Sequence, residues 1–455
     1  MSKLTPQIIA NITDGTYIGE NKDRDIPVKG AVRDNRDVKK GNLFICIRGA
    51  RVDGHSFADI AFEAGAACCL TEQDLPDAKG PYVKVGSTLK AIRVLSEYYR
   101  SLFKIPVIGI TGSVGKTSAK ELIAAVLSSK FNVLKTEMNL NNEIGVPLTL
   151  LALTDEHEVA VIEMGIRDFG DMDILAQMVR PDIFVMTKIG YSHIKELGDL
   201  QGVLRAKTEA FAYMKPDGIA VMNGDDELLL TYETKIEKLT YGLQKHNDVR
   251  AINIISESID LLKFDIADNK GQFSVNLPAY GTHLATLAPG AVIIGRLLGM
   301  TDDEICRGFL SYAPVEGRSN IREINNMTLI DDCYNANPNS VKAAITSMSS
   351  LPGRHVAILG DMLNLGEHSK QMHYDTGVFA AQNNVDCLLC HGNESIDLYK
   401  GFIDSCNKEA HYYPLMDDLI EKIPAGIKKG DVILVKASRG MQFEKLLPFI
   451  SRQKL

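Results

Sequence analysis

Val107-Ile108-Gly109-Ile110-Thr111-Gly112-Ser113-Val114-Gly115-Lys116-Thr117 runs from an apolar stretch into a Gly-rich turn and then into a helical pattern. Pro106 opens the apolar stretch, which shows no polar alternation and so reads as a strand covered on both faces. Beyond the turn, Leu122, Ile123, Val126 and Leu127 recur at helical spacing. Strand, turn and helix with Gly115-Lys116-Thr117 between them make the setting of a phosphate loop. Small residues let backbone N–H groups approach phosphate oxygens, and the helix N-terminus adds its partial positive charge. Thr111, Gly112, Ser113, Val114, Gly115, Lys116, Thr117 and Ser118 are therefore candidate ATP contacts. Lys116 would reach the terminal phosphates and the Thr117 hydroxyl would ligate Mg²⁺. Ile110 stands where the strict pattern has its first Gly, so the loop is a T-G-x-x-G-K-T variant. A Gly-rich turn with a solvated lysine is the plainer alternative, but it does not require the flanking strand and helix.

Outward from the loop, short apolar strands alternate with helical stretches in the manner of a parallel α/β sheet. Val159 to Met164 and Ile183 to Thr187 read as strands with polar ends. Glu163 closes the first and is a candidate metal ligand. His193 follows the second in a polar turn and is a candidate for a further cation. Lys207, in Arg205-Ala206-Lys207-Thr208-Glu209, reads on its own as a helix-surface lysine. Between 249 and 277 the period becomes two, with Phe273, Val275 and Leu277 alternating with polar residues after the turn Asp268-Asn269-Lys270-Gly271. An antiparallel hairpin is expected there. A second α/β alternation begins after Pro314, with strands at 329–330, 356–359, 385–389 and 432–435. On the N-terminal side, Leu43 to Ile47 and Ala66 to Leu70 read as strands and Ala91 to Leu102 as a helix. The expected fold is α/β in three domains, residues 1–85, 86–313 and 314–455. The first is a small α/β domain, the second a parallel-sheet ATPase with the antiparallel hairpin, and the third a Rossmann-like α/β unit.

Composition agrees. The 455 residues, 45% hydrophobic and 24% charged, suit several globular cores. A net charge of −8 shows no nucleic-acid footprint. No run approaches the length of a membrane span. Met1 to Glu20 carry no basic run followed by an apolar stretch, so a cytoplasmic location is expected. The eight cysteines are scattered, which fits reduced thiols. Cys387-Leu388-Leu389-Cys390-His391 matches a c-type haem pattern, but its apolar setting reads as a buried strand ending in an exposed His.

These motifs resemble the Mur ligases of peptidoglycan synthesis. The resemblance rests on the T-G-x-x-G-K-T loop, Asn139-Leu140-Asn141-Asn142-Glu143-Ile144-Gly145-Val146-Pro147 and Glu163-Met164-Gly165. Further on, Asp331-Asp332-Cys333-Tyr334-Asn335-Ala336-Asn337-Pro338, Leu359-Gly360-Asp361-Met362 and Val435-Lys436-Ala437-Ser438-Arg439-Gly440-Met441 are similar to the members that accept D-alanyl-D-alanine. So is Gly49-Ala50-Arg51-Val52-Asp53-Gly54-His55-Ser56-Phe57, in the domain that holds the UDP substrate. The resemblance implies an ADP-forming ligase that uses ATP and Mg²⁺ to join D-alanyl-D-alanine to UDP-N-acetylmuramoyl-tripeptide through an acyl phosphate. It implies that Lys116, Lys207 and His193 serve catalysis, with Lys207 carbamylated, and that Thr117, Glu163 and His193 hold metal. Arg318 and Asp331 would meet ATP from the third domain, which would close onto the second. Asp34, Asn35, Arg36, Asp53, Gly54 and His55 would serve the UDP substrate, and Asn141 and Asn142 are further substrate-binding candidates. Asn335, Asn337, Lys436, Ser438 and Arg439 would face the dipeptide. A monomer is expected.

The chain departs from the family pattern at Asn35, where Ser is usual, at Cys333, also usually Ser, and at Leu284 and Leu287. Family members usually carry Asn at the last two positions, near the adenine, and leucine donates no hydrogen bond. Two other readings share the loop: a folylpolyglutamate-synthase-like ligase, and a nucleotide-binding protein without ligase activity.

Overall fold

The computed structural model describes Met1 and residues 3–49 and 52–452; Ala50 and Arg51, in the UDP-domain motif above, lie outside the described residues. Two compact units are distinguished. One comprises Met1–Thr111, Phe131–Phe184 and Thr208–Ile219, the other Gly112–Lys130, Val185–Lys207 and Ala220–Leu455.

In the first unit the strand Val107–Thr111 is buried throughout, as its unbroken apolar run requires. It lies parallel to Val159–Glu163, with Ile110 opposite Glu163, and Val133–Lys135 adds a third parallel strand on the far side. Gly109 is needed for packing: a Cβ there would lie 3.0 Å from both Met164 Sδ and a Phe184 ring carbon. A separate five-stranded sheet near the N-terminus has the order Thr16–Ile18, Tyr82–Lys84, Cys68–Thr71, Asn42–Ile45, Gly30–Val32. Only the pairing of Thr16–Ile18 with Tyr82–Lys84 is antiparallel. Phe44, Cys46, Ala58, Ala61, Cys69 and Tyr82 form its core; burying one such aromatic is worth about 1.5–3 kcal/mol. The helix Thr88–Ser101 buries Ala91, Ile92, Leu95 and Tyr99 on one stripe, and Ser87 caps it by accepting from Lys90 N.

In the second unit the helix Lys116–Ser128 buries Leu122, Ile123, Val126 and Leu127 and packs on Thr282–Leu297 and Asp302–Leu310. The approach is close, since a Cβ on Gly308 would meet Val126 Cα at 2.4 Å. The expected hairpin is the second half of a three-strand meander, Val249–Ser258, Leu261–Asp268 and Gly271–Leu277. Asp268 Oδ1 accepts the N–H groups of Lys270 and Gly271 and closes its turn.

The C-terminal sheet has six strands in the order Asn320–Ile324, Met327–Asp331, Asp431–Lys436, Arg354–Gly360, Cys387–His391, Glu409–Tyr413. All pairings are parallel except that of Asn320–Ile324 with Met327–Asp331. Along Asp431–Lys436, Val432 and Leu434 enter one apolar cluster while Ile433 and Val435 enter the other. Helices therefore cover both faces, and a doubly wound sheet of this kind binds ligands at its carboxyl edge. Asp331, Lys436 and Gly360 end strands at that edge. The cysteines of the haem-like pattern are both buried inside Cys387–His391. The His391 ring is half-buried and not exposed as expected: it stacks on Phe443, and its Nδ1 lies 3.0 Å from Tyr413 O. Among the described residues no helix is long and apolar enough to cross a membrane.

Candidate functional site

In the second unit, the phosphate loop is held by the segment 187–192. Ser113 N donates to Lys188 O (2.7 Å). Ser113 Oγ donates to Gly190 O and accepts from Gly190 N (both 2.9 Å), and Thr187 Oγ1 donates to Val114 O (2.5 Å). That segment is itself anchored, because Asn223 Nδ2 donates to Thr187 O (2.7 Å) and Asp226 Oδ2 accepts from Ile189 N (2.8 Å). Lys116 Nζ donates to Gly112 O (2.7 Å), closing the loop's mouth. Thr117 is buried and Ser118 half-buried on the first turn of the helix. Gly115 takes φ 85° at the helix N-cap, and Leu287 Cδ1 would lie 3.5 Å from a Cβ there. Leu284 and Leu287 are both buried, so an apolar side chain stands beside the loop.

Gly112 has φ 149°, and a Cβ on it would sit 2.0 Å from Thr187 Oγ1. Gly112→Ala is thus expected to cost roughly 1–3 kcal/mol through displacement of the clasp and to lose ADP binding. A thermal melt and an ADP titration check it; wild-type affinity would mean that the contact between loop and segment is dispensable.

Lys207 does not lie on the surface. It is 2% exposed near the end of the helix Leu200–Thr208. Burial first, and the Lys116 charge second, hold its amine well below the ordinary lysine range. His193 adopts a left-handed φ of 56° as N-cap of the short helix Ile194–Leu197. Among the described residues no three His, Cys, Asp or Glu side chains gather as a ready cation cage.

Thr111 and Glu163 belong to the first unit. Thr111 Oγ1 donates to Met164 O (2.9 Å). Glu163 is 1% exposed; its N–H donates to Thr136 Oγ1 (2.9 Å), and its Oε1 accepts from Asn141 Nδ2 (2.8 Å). Asn141 therefore orients this carboxylate. Asn142 Oδ1 accepts from Ile144 N and Gly145 N and starts the helix Gly145–Leu151.

The residues expected to meet the UDP group show a division of labour. Asp34 pairs with Arg36 through both oxygens, and that hydrogen-bonded guanidinium brings its carboxyl down to about 2. Asn35 is half-buried at the start of the turn Asn35–Asp37. His55 lies inside, with Nδ1 2.5 Å from Asp53 Oδ1 and Nε2 accepting from Glu72 N (3.0 Å). Glu72 Oε1 in turn accepts from Thr88 N and Oγ1 at the head of the helix Thr88–Ser101. Asp53 and His55 thus hold the loop, and Gly54 must be glycine because a Cβ would meet Ile47 backbone atoms at 2.7 Å.

At the carboxyl edge of the C-terminal sheet, the Arg318 guanidinium stacks on Tyr334 (4.1 Å to the centroid), and Arg439 lies over the same ring at 5.6 Å. Tyr334 N donates to Gly317 O (3.0 Å), which fixes the segment carrying Arg318. Asp331 is buried beside Cys333, whose Sγ lies 2.7 Å from Asp331 Oδ1; burial, then that hydrogen bond, push the thiol up. Lys436 and Ser438 point into the protein. Lys436 Nζ donates to Asp332 Oδ2 (2.6 Å) and Asn335 O (2.9 Å). Ser438 Oγ accepts from Leu363 N (2.9 Å) and donates to Ala336 O (3.2 Å). Both hold the neighbouring loops in place. Asn335 is exposed, and so is the Arg439 side chain.

Thr187, Asn223, Asp226 and Ser192 belong to this construction although sequence reasoning did not single them out. The polar run Asn223-Gly224-Asp225-Asp226 after a buried strand was the available signal.

Residues 28–100, 110–294 and 317–439 match, in turn, the profiles of the Mur ligase family catalytic domain, the Mur ligase middle domain and the Mur ligase glutamate ligase domain. The chain is 35% identical over 454 residues to the UDP-N-acetylmuramoyl-tripeptide–D-alanyl-D-alanine ligase of Bacillus subtilis, covering 98% of each. A crystal structure of MurF from Acinetobacter baumannii superposes with TM-score 0.87 at 29% identity over 98% of both chains. The MurF ligase of Thermotoga maritima, solved in complex with ADP, gives 0.82 at 27% identity over 94% of this chain and 98% of that one. With relatives matched nearly end to end and family profiles covering all three segments, this three-domain α/β chain belongs to the Mur ligases, a family of ATP-dependent, ADP-forming ligases.

Proposed function

We propose that this chain joins D-alanyl-D-alanine to UDP-N-acetylmuramoyl-tripeptide at the expense of ATP, as a cytoplasmic monomer in peptidoglycan precursor synthesis. The observation that carries this is its 35% identity, over 98% of both chains, to the Bacillus subtilis ligase of that name. A carboxylate oxygen of the tripeptide attacks the γ-phosphorus, the bond to the β–γ bridging oxygen breaks, and ADP leaves. The dipeptide amine attacks the acyl carbon of the resulting acyl phosphate, phosphate departs, and the nitrogen gives up a proton to leave the amide.

Two anions must be brought together, so the contribution of the chain is charge neutralisation and positioning. Lys116 and the N–H groups of residues 112–117 take the phosphates, and Arg318 and Asp331 serve ATP from the C-terminal segment. Thr117, Glu163 and His193 are the candidates to hold Mg²⁺. The Thr117 hydroxyl and the buried Glu163 carboxylate fit a hard ion that takes oxygen ligands and keeps phosphate and water among them, while the His193 imidazole is the less usual donor for it. When bound, the ion neutralises phosphate charge. The N-terminal loops carrying Asp34, Asn35, Arg36 and Asp53 to His55 form the UDP side, together with Asn141 and Asn142. For the dipeptide, Asn335 and Arg439 are the accessible groups, while Lys436 and Ser438 shape the loops that present them.

Phosphate release from purified protein with ATP, Mg²⁺ and UDP-N-acetylmuramoyl-tripeptide is expected to depend on D-alanyl-D-alanine. Release with a folate and glutamate instead would overturn the proposal, and no release with any acceptor would make the chain a nucleotide-binding protein.

A further inference from the structure

The hydrogen bonds around the phosphate loop do not end at the segment 187–192. Ser192 Oγ donates to Ser113 O (3.1 Å) and accepts from Asn337 Nδ2 (3.1 Å). A hydroxyl has one proton and two lone pairs, so both bonds form at once and each polarises the other. Asn337 is fixed at its other end, where its Oδ1 accepts from Ser340 N (2.9 Å) as the N-cap of the helix Pro338–Met348. A Cβ on Gly190 would come within 2.8 Å of Asn339 Nδ2, and one on Gly366 within 3.3 Å of Lys195 Cβ. Residues 190–195 are thus gripped by the C-terminal segment at two places, with His193 between them in its left-handed conformation. Both grips, the clasp and the loop lie within the second unit.

We infer that Ser192 is a positioning residue: it transmits the docking of the C-terminal acceptor domain, through Asn337, to the phosphate loop and to His193. Ser192 acts through its bonds to Ser113 O and Asn337. It sets the loop's geometry according to whether the acceptor side is in place, so that ATP is committed only when the acceptor domain is seated. The inference rests on the proposed ligase reaction for its purpose, while the coupling itself is a property of the chain with nucleotide alone.

The test uses the full chain. Asn337→Asp keeps the capping oxygen but removes the Nδ2 donor; the single Ser192 proton can then serve either the new carboxylate or Ser113 O, so the helix stays capped while the relay between Asn337 and the loop is cut. Amide exchange of residues 113–115, with ADP present, is expected to speed up about fivefold, the factor that one hydrogen bond of ordinary net strength represents. Unchanged exchange would overturn the coupling. Ser192→Ala is expected to lower kcat about tenfold with ADP affinity within twofold of wild type, and Ser192→Thr to restore most of the loss. An undiminished kcat in Ser192→Ala, or a loss of ADP affinity as large as the loss of kcat, would reduce Ser192 to loop packing. Failure of the wild type to turn over the tripeptide and dipeptide would sink the proposed reaction, leaving the exchange measurement to decide the coupling.

Discussion

Lys116→Ala is expected to lower turnover by about 10³-fold while the protein melts within a few degrees of the wild type. The activity loss follows from removing a preorganised cation where negative charge gathers during phosphoryl transfer, for which single-group losses of this order are usual. The fold should survive because Lys116 is only half-buried, and a hydrogen bond such as the one it donates to Gly112 O is worth about 0.5–1.5 kcal/mol. A second effect accompanies the first. The Lys116 charge is one of the two causes holding the Lys207 amine below the ordinary lysine range. Its removal raises that amine, so Lys207 retains its proton to higher pH. Phosphate release and a thermal melt on the same sample check the variant, and near-wild-type turnover would take the loop out of the mechanism.

Lys207→Ala is expected to be inactive, with partial recovery in added acetate or formate. An amine reacts with CO₂ only when neutral: the nitrogen lone pair adds to carbon and a proton is released, leaving a carbamate anion. A fully buried lysine whose amine is held low is the form that can do this, and burial is the leading cause here. A small carboxylate occupying the space left by the side chain would supply the same negative charge. Full activity of Lys207→Ala would refute the role.

Stability should move the other way. With the folded pKa lowered, the unfolded chain binds the extra proton between that value and the ordinary lysine value, so stability rises with pH across this window. Below the window the full cost of burying the amine is present. Lys207→Met removes that cost, so it should melt no earlier than the wild type at neutral pH, with a flatter rise in Tm toward alkaline pH. Earlier melting at neutral pH would mean that the amine is a net stabiliser in the folded protein.

Lys207 also illustrates what a sequence read in isolation conceals. Arg205-Ala206-Lys207-Thr208-Glu209 has the composition of a solvated helix face, and only the surrounding protein makes it an interior. The phosphate loop was legible because its signal is local: an apolar strand, two glycines with positive φ at 112 and 115, and an amphipathic helix. The central strands of the C-terminal sheet were legible for the same reason, as continuous apolar runs. Its edge strands Asn320–Ile324 and Glu409–Tyr413 were not, because an edge exposes one side and tolerates polar residues. The three-residue strands Thr16–Ile18 and Gly30–Val32 are too short to show any period. For Lys436, Ser438 and His55 the motif named a segment and left the direction of each side chain open. Which way each side chain turns depends on partners such as Asp332, Leu363 and Glu72, which lie far away in sequence.

The clasp around the phosphate loop carries a thermodynamic consequence. Ordering a free backbone costs about 1–2 kcal/mol per residue, and a mobile loop would meet that cost each time a nucleotide bound. Ser113 and Val114 are instead tied to Lys188, Gly190 and Thr187 within the folded chain. The conformational entropy of those residues is thereby surrendered once, on folding. Calorimetry of ADP binding should accordingly show little unfavourable entropy from backbone ordering, and the association rate should resemble that of a ligand entering a preformed site.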